Sequence, residues 1–186
     1  MHLDIDTRQS LEMAQKLSAR SRQIREEAIR EALGTPTEQM PPVFYALANA
    51  LAREPGRAYE AVFWHHVGRL RAVFDALRCR DKTVRRVVPG LGRNLNKEMR
   101  KFQNEDPLRV LSIAKRAIDW DLNNPRAYDH RWVFLHRKLA KTPPADFSAP
   151  SAQLTYPESE WPDILRYVHE THLRSVELFV KGKTDK

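Results

Sequence analysis

An all-α fold in a single domain is what this sequence predicts, and three observations carry the prediction. Apolar residues recur at three- and four-residue spacing along most of the chain, and no stretch keeps the alternation of a half-buried strand. Helix start and stop signals punctuate the chain at intervals of ten to twenty-five residues or so. With 186 residues, 41% of them hydrophobic and 30% charged, the chain has enough apolar surface for one core and little length for two. The expected architecture is six or seven helices in one domain over residues 1–180, with a long proline-rich surface loop at 141–160 and a frayed tail at 181–186.

The first helix is expected from Asp6 or Thr7 to about Leu33, with Leu11, Ala14, Leu17, Ile24 and Ala28 inward. Arg20, Arg22, Arg25, Glu26, Glu27, Arg30 and Glu31 alternate in sign and read as its solvated face. Gly34 and Pro36 end it, because glycine takes the helix cap and proline cannot continue the helix. Pro41-Pro42 opens a short helix carrying Phe44, Leu47 and Leu51, and Pro55-Gly56 closes it.

A long helix follows from about Arg57 to Arg78. Tyr59, Phe63, Val67, Leu70, Phe74 and Leu77 keep one stripe along its whole length, which marks the central helix of the core. Val87-Val88-Pro89-Gly90 reads as a loop. A basic helix then carries Leu91, Leu95, Met99 and Phe102. Asp106-Pro107 is a cap followed by a first-turn proline, and it starts a helix with Leu108, Leu111, Ala114, Ala117 and Ile118. Asn123-Asn124-Pro125 repeats that signal for a helix from Pro125 to about Ala140, striped by Tyr128, Trp132, Leu135 and Leu139. Prolines 143, 144, 150 and 157 define the loop, and Trp161-Pro162-Asp163 launches the last helix. The sequence Arg57-Ala58-Tyr59-Glu60 echoes Arg126-Ala127-Tyr128-Asp129, an echo that two unrelated helix starts also produce.

Composition narrows the function classes. A single cysteine, Cys79, excludes an intramolecular disulfide and a cysteine-rich zinc site. No apolar run nears the ~20 residues of a membrane span, and the polar N-terminus is unlike a signal peptide, so a cytoplasmic protein with no membrane partner is expected. No dinucleotide or Walker-type glycine loop and no nucleophile elbow occurs. His65-His66 should leave one ring packed and one wet, and His172, on the apolar stripe three residues after His169, reads as half-buried. Neither a metal nor another cofactor is expected.

The net charge is +8, and the basic residues cluster. Within 80–101 lie Arg80, Lys82, Arg85, Arg86, Arg93, Lys97, Arg100 and Lys101, opposed only by Asp81 and Glu98. Such a strip suits a polyanion, since neutralising phosphates releases condensed counterions. The alternative is a solvated face paired with acids elsewhere. Lys82, Arg85, Arg86, Arg93, Lys97, Arg100 and Lys101 are the candidate phosphate contacts, and RNA or DNA is the expected partner.

A second constellation, Asp129-His130-Arg131-Trp132-Val133-Phe134-Leu135-His136, places Arg131 and His136 on opposite shoulders of the Trp132 stripe of the expected helix, about 140° apart. They would border a cleft where that helix meets another, or its copy in a homodimer. The spacing resembles the motif of the HEPN family of helical ribonucleases and RNA-binding domains. The resemblance implies His136 as general acid–base on a ribose 2′-hydroxyl and Arg131 as stabiliser of the phosphate's charge, a chemistry that needs no metal. The residues themselves also allow Arg131 to pair with an acid and His136 to cap or pack. Two other readings stand beside it. In size, helicity and charge the chain also resembles the small helical subunit of CRISPR surveillance complexes, which implies binding within a larger nucleoprotein assembly and no catalysis. A helical protein–protein adaptor would account for the aromatic residues and the proline loop.

Overall fold

The structure, a computed structural model, describes residues 6–93, 95–135 and 154–185. Nine α-helices occur among them: α1 (Arg8–Ser18), α2 (Arg22–Gly34), α3 (Pro41–Leu51), α4 (Ala58–Leu77), α5 (Val87–Leu91), α6 (Lys97–Glu105), α7 (Pro107–Asn123), α8 (Trp132–Leu135) and α9 (Trp161–Thr184). Two 3-10 turns, Lys82–Arg86 and Glu158–Glu160, complete the set. The described residues form no strand beyond one isolated bridge between Cys79 and Thr155. No described helix is long and apolar enough to cross a membrane.

Helix α4 is the axis of the molecule, packed by α3, α6, α7 and α9. It is buried on nearly every side: Val62, Val67, Leu70 and Ala72 are all fully covered, and Gly68 lets α3 approach until a Cβ there would stand 2.8 Å from the Phe44 Cβ. Tyr59, Phe63 and Leu77, the outer members of the expected stripe, are only partly covered.

The single first helix is divided. Ala19 ends α1, and Ser21 caps α2 by accepting from the Ile24 amide. The corner is tied by Arg25 and Arg53, both of which donate to the Ala19 carbonyl. Arg25 therefore does not join the solvated face. It is 6% exposed and ion-pairs with the buried Glu54 at 2.6 Å. Once the helix is broken, Leu11 and Ile24 turn outward, while Met13, Leu17, Ala28 and Ile29 fill the core.

Two further expectations are corrected nearby. Residues 87–91 are helical (α5), with Val87, Val88 and Leu91 packed against a second apolar cluster around Tyr45, Val84, Trp132 and Phe134. At the C-terminus α9 continues to Thr184, whose hydroxyl donates to the Val180 and Lys181 carbonyls, so the expected tail from residue 181 is helical up to that point. Of the 141–160 loop, 141–153 lie outside the described residues. The remainder runs along α4's end, with the Arg80 amide donating to the Leu154 carbonyl and the Tyr156 amide to that of Arg78.

The helix expected from Pro125 begins only at Trp132. Residues 124–131 are held in a non-helical course by groups that α4 and α7 bury. Arg71, fully buried, pairs with Asp121 at 3.1 Å and donates to the Asn124 and Pro125 carbonyls. Arg126 and His169 also reach Asp121. The Tyr128 hydroxyl and the Trp132 indole both donate to Asp75, which also pairs with Arg78. Leaving these acids and arginines unpaired in the core would cost more than one turn of helix gains, so the segment follows them. The echo between residues 57–60 and 126–129 is thus no structural repeat: the first opens a helix and the second does not.

Candidate nucleic-acid interface

The basic strip is carried by three short elements. Asp81 accepts from the amide and hydroxyl of Thr83 at 2.9 and 2.7 Å, which starts the 3-10 turn, and buried Val84 pins that turn to the second cluster. Asn96 caps α6 by accepting from the Glu98 amide at 2.8 Å. Met99 is fully buried and Phe102 partly so, which leaves the opposite side of α6 to Lys97, Arg100 and Lys101.

Lys82, Arg86, Arg93, Lys97, Arg100 and Lys101 are exposed and Arg85 is half-buried. Among the described residues only Lys101 has a carboxylate near it, Glu105 at 3.9 Å, and both side chains are about two-thirds exposed. A pair so long and so wet contributes little. The other six form no ion pair with a described residue. Arg80, also in the strip, is a structural residue: its Nε donates to the Thr155 carbonyl at 2.9 Å and its guanidinium covers the Tyr156 ring.

Sequence reasoning missed a neighbouring group. Phe102, next to Lys101, stacks edge-on against Tyr59. Arg109 lies over both rings, at 5.4 and 5.6 Å from their centroids. Arg116 covers Tyr59 and Phe63 and donates to the Tyr59 hydroxyl. Both arginines are exposed and without an acidic partner among the described residues, so α6 and α7 join cations to accessible aromatic edges. Two arginines seven residues apart on one helix face were the available signal, beside aromatic residues from two other helices that no spacing rule connects.

The Arg131/His136 pair fares differently. Arg131 lies in the turn before α8, so the helical geometry expected for it does not apply. Its guanidinium grips Asp129 through Nε, at 2.9 and 3.0 Å, and through a terminal nitrogen at 2.5 Å, and its amide bonds the same carboxylate. Burial opposes charge on Asp129, but these hydrogen bonds prevail and hold its carboxyl below the usual range. Arg131 is thereby committed to an acid. His136 lies outside the described residues.

The described residues contain no group of three or more histidine, cysteine, aspartate or glutamate side chains able to hold a metal ion. Cys79 is no nucleophile: it is fully buried, burial pushes its thiol up to about 12, and its Sγ donates to the Asp75 carbonyl. Comparison with protein-family models, with curated proteins and with solved structures finds no match for this chain.

Proposed function

We propose that the protein binds nucleic acid by its phosphate backbone, through the exposed cations of residues 82–101, and that it holds the strand without cutting it. The observation that supports this reading most is the absence of carboxylates: six of the seven strip cations meet no acid among the described residues, so their charge is available to a partner. Counterion release then supplies affinity with little sequence preference. Arg109 and Arg116, held over Tyr59 and Phe102, extend the same chemistry to bases, which stack on guanidinium planes.

Asp129's hold on Arg131 argues against the catalytic alternative, because an arginine already neutralised has little charge left for a phosphate in transition. A holding role is that of a small helical subunit in a nucleoprotein assembly, the CRISPR-type resemblance noted from size, helicity and charge. RNA is the first partner to test, as the resemblance at Arg131 and His136 implies.

The test is fluorescence anisotropy with labelled single-stranded RNA and DNA at low salt. The variant carries Arg86→Gln, Arg93→Gln, Lys97→Gln and Arg100→Gln together, all on exposed side chains whose loss leaves the core intact. Affinity should fall at least about tenfold for both strands. Unchanged affinity would remove the strip from the account, and RNA cleavage by the wild type that Arg131→Ala abolishes would restore the catalytic reading.

A further inference from the structure

Helix α4 also carries His65, His66 and Arg69 to the wall of a cleft of about 190 Å3, which Gln103 of α6 and His172 and Ser175 of α9 line from the other sides. Apolar side chains of α7 and α9 make up the rest. A smaller hollow of about 100 Å3 shares Arg69, His172 and Ser175. None of the strip residues takes part.

The polar lining of this cleft is unused by the fold. His66 Nδ1 and His172 Nε2 lie 2.9 Å apart, one donating to the other. That bond leaves His66 Nε2 buried with no partner, on a residue only 5% exposed. Native interiors seldom leave such a nitrogen unpaired unless a ligand or water meets it. Arg69 is exposed and forms no ion pair with a described residue, and the side chains of Gln103, Ser175 and His65 make no hydrogen bond with one. No carboxylate lines the cleft.

We infer that this cleft binds a phosphate group, with Arg69 supplying the charge and Gln103, Ser175 and the His66–His172 pair supplying hydrogen bonds. A guanidinium matches phosphate geometry through paired N–H bonds, and donors from three helices suit a group whose several oxygens all accept. The cleft is smaller than the ~300 Å3 at which sites for drug-sized ligands begin, which fits a small headgroup. Its three histidines are not among any group of described side chains placed to hold a metal ion. The phosphate comes from one of two sources, a free phosphate compound or the end of a nucleic-acid strand.

Protonation should follow binding. Burial, reinforced by Arg69, holds the His65 and His172 rings at about 4 and His66 well below its ordinary value. The groups facing the pair are few. His65 and Arg69 share α4; His169 on α9 is committed to Asp121 of α7; and Tyr45 of α3 stands edge-on to His65. A bound phosphate anion offsets Arg69, so the rings protonate more readily in the complex than in the free protein.

The experiment titrates the intact protein with inorganic phosphate at constant ionic strength, following histidine ring resonances by NMR at pH 7 and pH 5.5. Saturable shifts of His66 and His172 at both pH values, weakened about tenfold by Arg69→Gln, are expected. Arg69 is exposed, so that variant keeps the fold. A 5′-phosphorylated oligonucleotide that reproduces the shifts, where its 5′-hydroxyl twin does not, supports the site with a strand end as its source. Absent shifts, shifts that chloride reproduces, or a response that survives Arg69→Gln would overturn the proposal. The strip variant with four glutamines separates the two sites: phosphate should still shift His66 when strand binding is lost.

Discussion

Asp75 and Asp121 tie the 124–132 segment to helices α4 and α7. Both are fully buried, and each joins a near neighbour to groups from distant parts of the chain: Arg78 with Tyr128 and Trp132 for Asp75, and Arg126 with Arg71 and His169 for Asp121. Asp75→Ala strands a buried guanidinium and a buried indole N–H, and should cost about 3–5 kcal/mol in denaturant unfolding. The histidines set the acid limit. His65, His130 and His172 are held near 4 by burial against an ordinary value of 6.5. Their unfolded forms take up protons first as pH falls, so the stability that neutral rings contribute is intact above pH 6.5 and drains between 6.5 and 4. Thermal unfolding in phosphate-free buffer should show Tm falling across that window, with a shallower fall for His130→Phe.

Helices α3 and α4 make the most extensive contact between described elements, and Gly68 permits their close approach. The atom a Cβ would strike belongs to Phe44 next to its backbone, not to a flexible tip. Gly68→Ala should therefore destabilise by about 1–3 kcal/mol despite alanine's better helix propensity, a sign that urea unfolding reads directly. What the sequence revealed of the elements follows the same division between local and distant causes. The Asp106-Pro107 start of α7 and the central position of α4 were legible, because capping and apolar spacing act within a few residues. The break at Ala19 and the non-helical course of 124–131 were not, since Glu54, Asp75 and Asp121 impose them from far along the chain. Residues 125–131 carry a sound helix start signal that buried ion pairs override.

For the whole molecule, the all-α class was legible because helical periodicity recurs along most of the chain, while the candidate site was legible only in part. The clustered cations were visible as a run in sequence, and the structure leaves six of the seven without an acid among the described residues. The partnership of Arg109 and Arg116 with Tyr59 and Phe102 was hidden, since it joins three helices. That Arg131 pairs with an acid was among the readings the residues allowed, but Asp129 as that acid was not legible, since residues two apart do not face each other on the expected helix. The proposal that exposed charge holds a strand predicts a quantity beyond affinity itself. The logarithm of the RNA association constant should fall linearly with the logarithm of salt, by about 0.7 per phosphate neutralised, giving a slope of roughly −2 to −4 for three to six contacts. With Arg86, Arg93, Lys97 and Arg100 changed to glutamine the slope should flatten by about 2 or more. An association too weak to detect at low salt, or a slope the four changes leave untouched, would contradict the account.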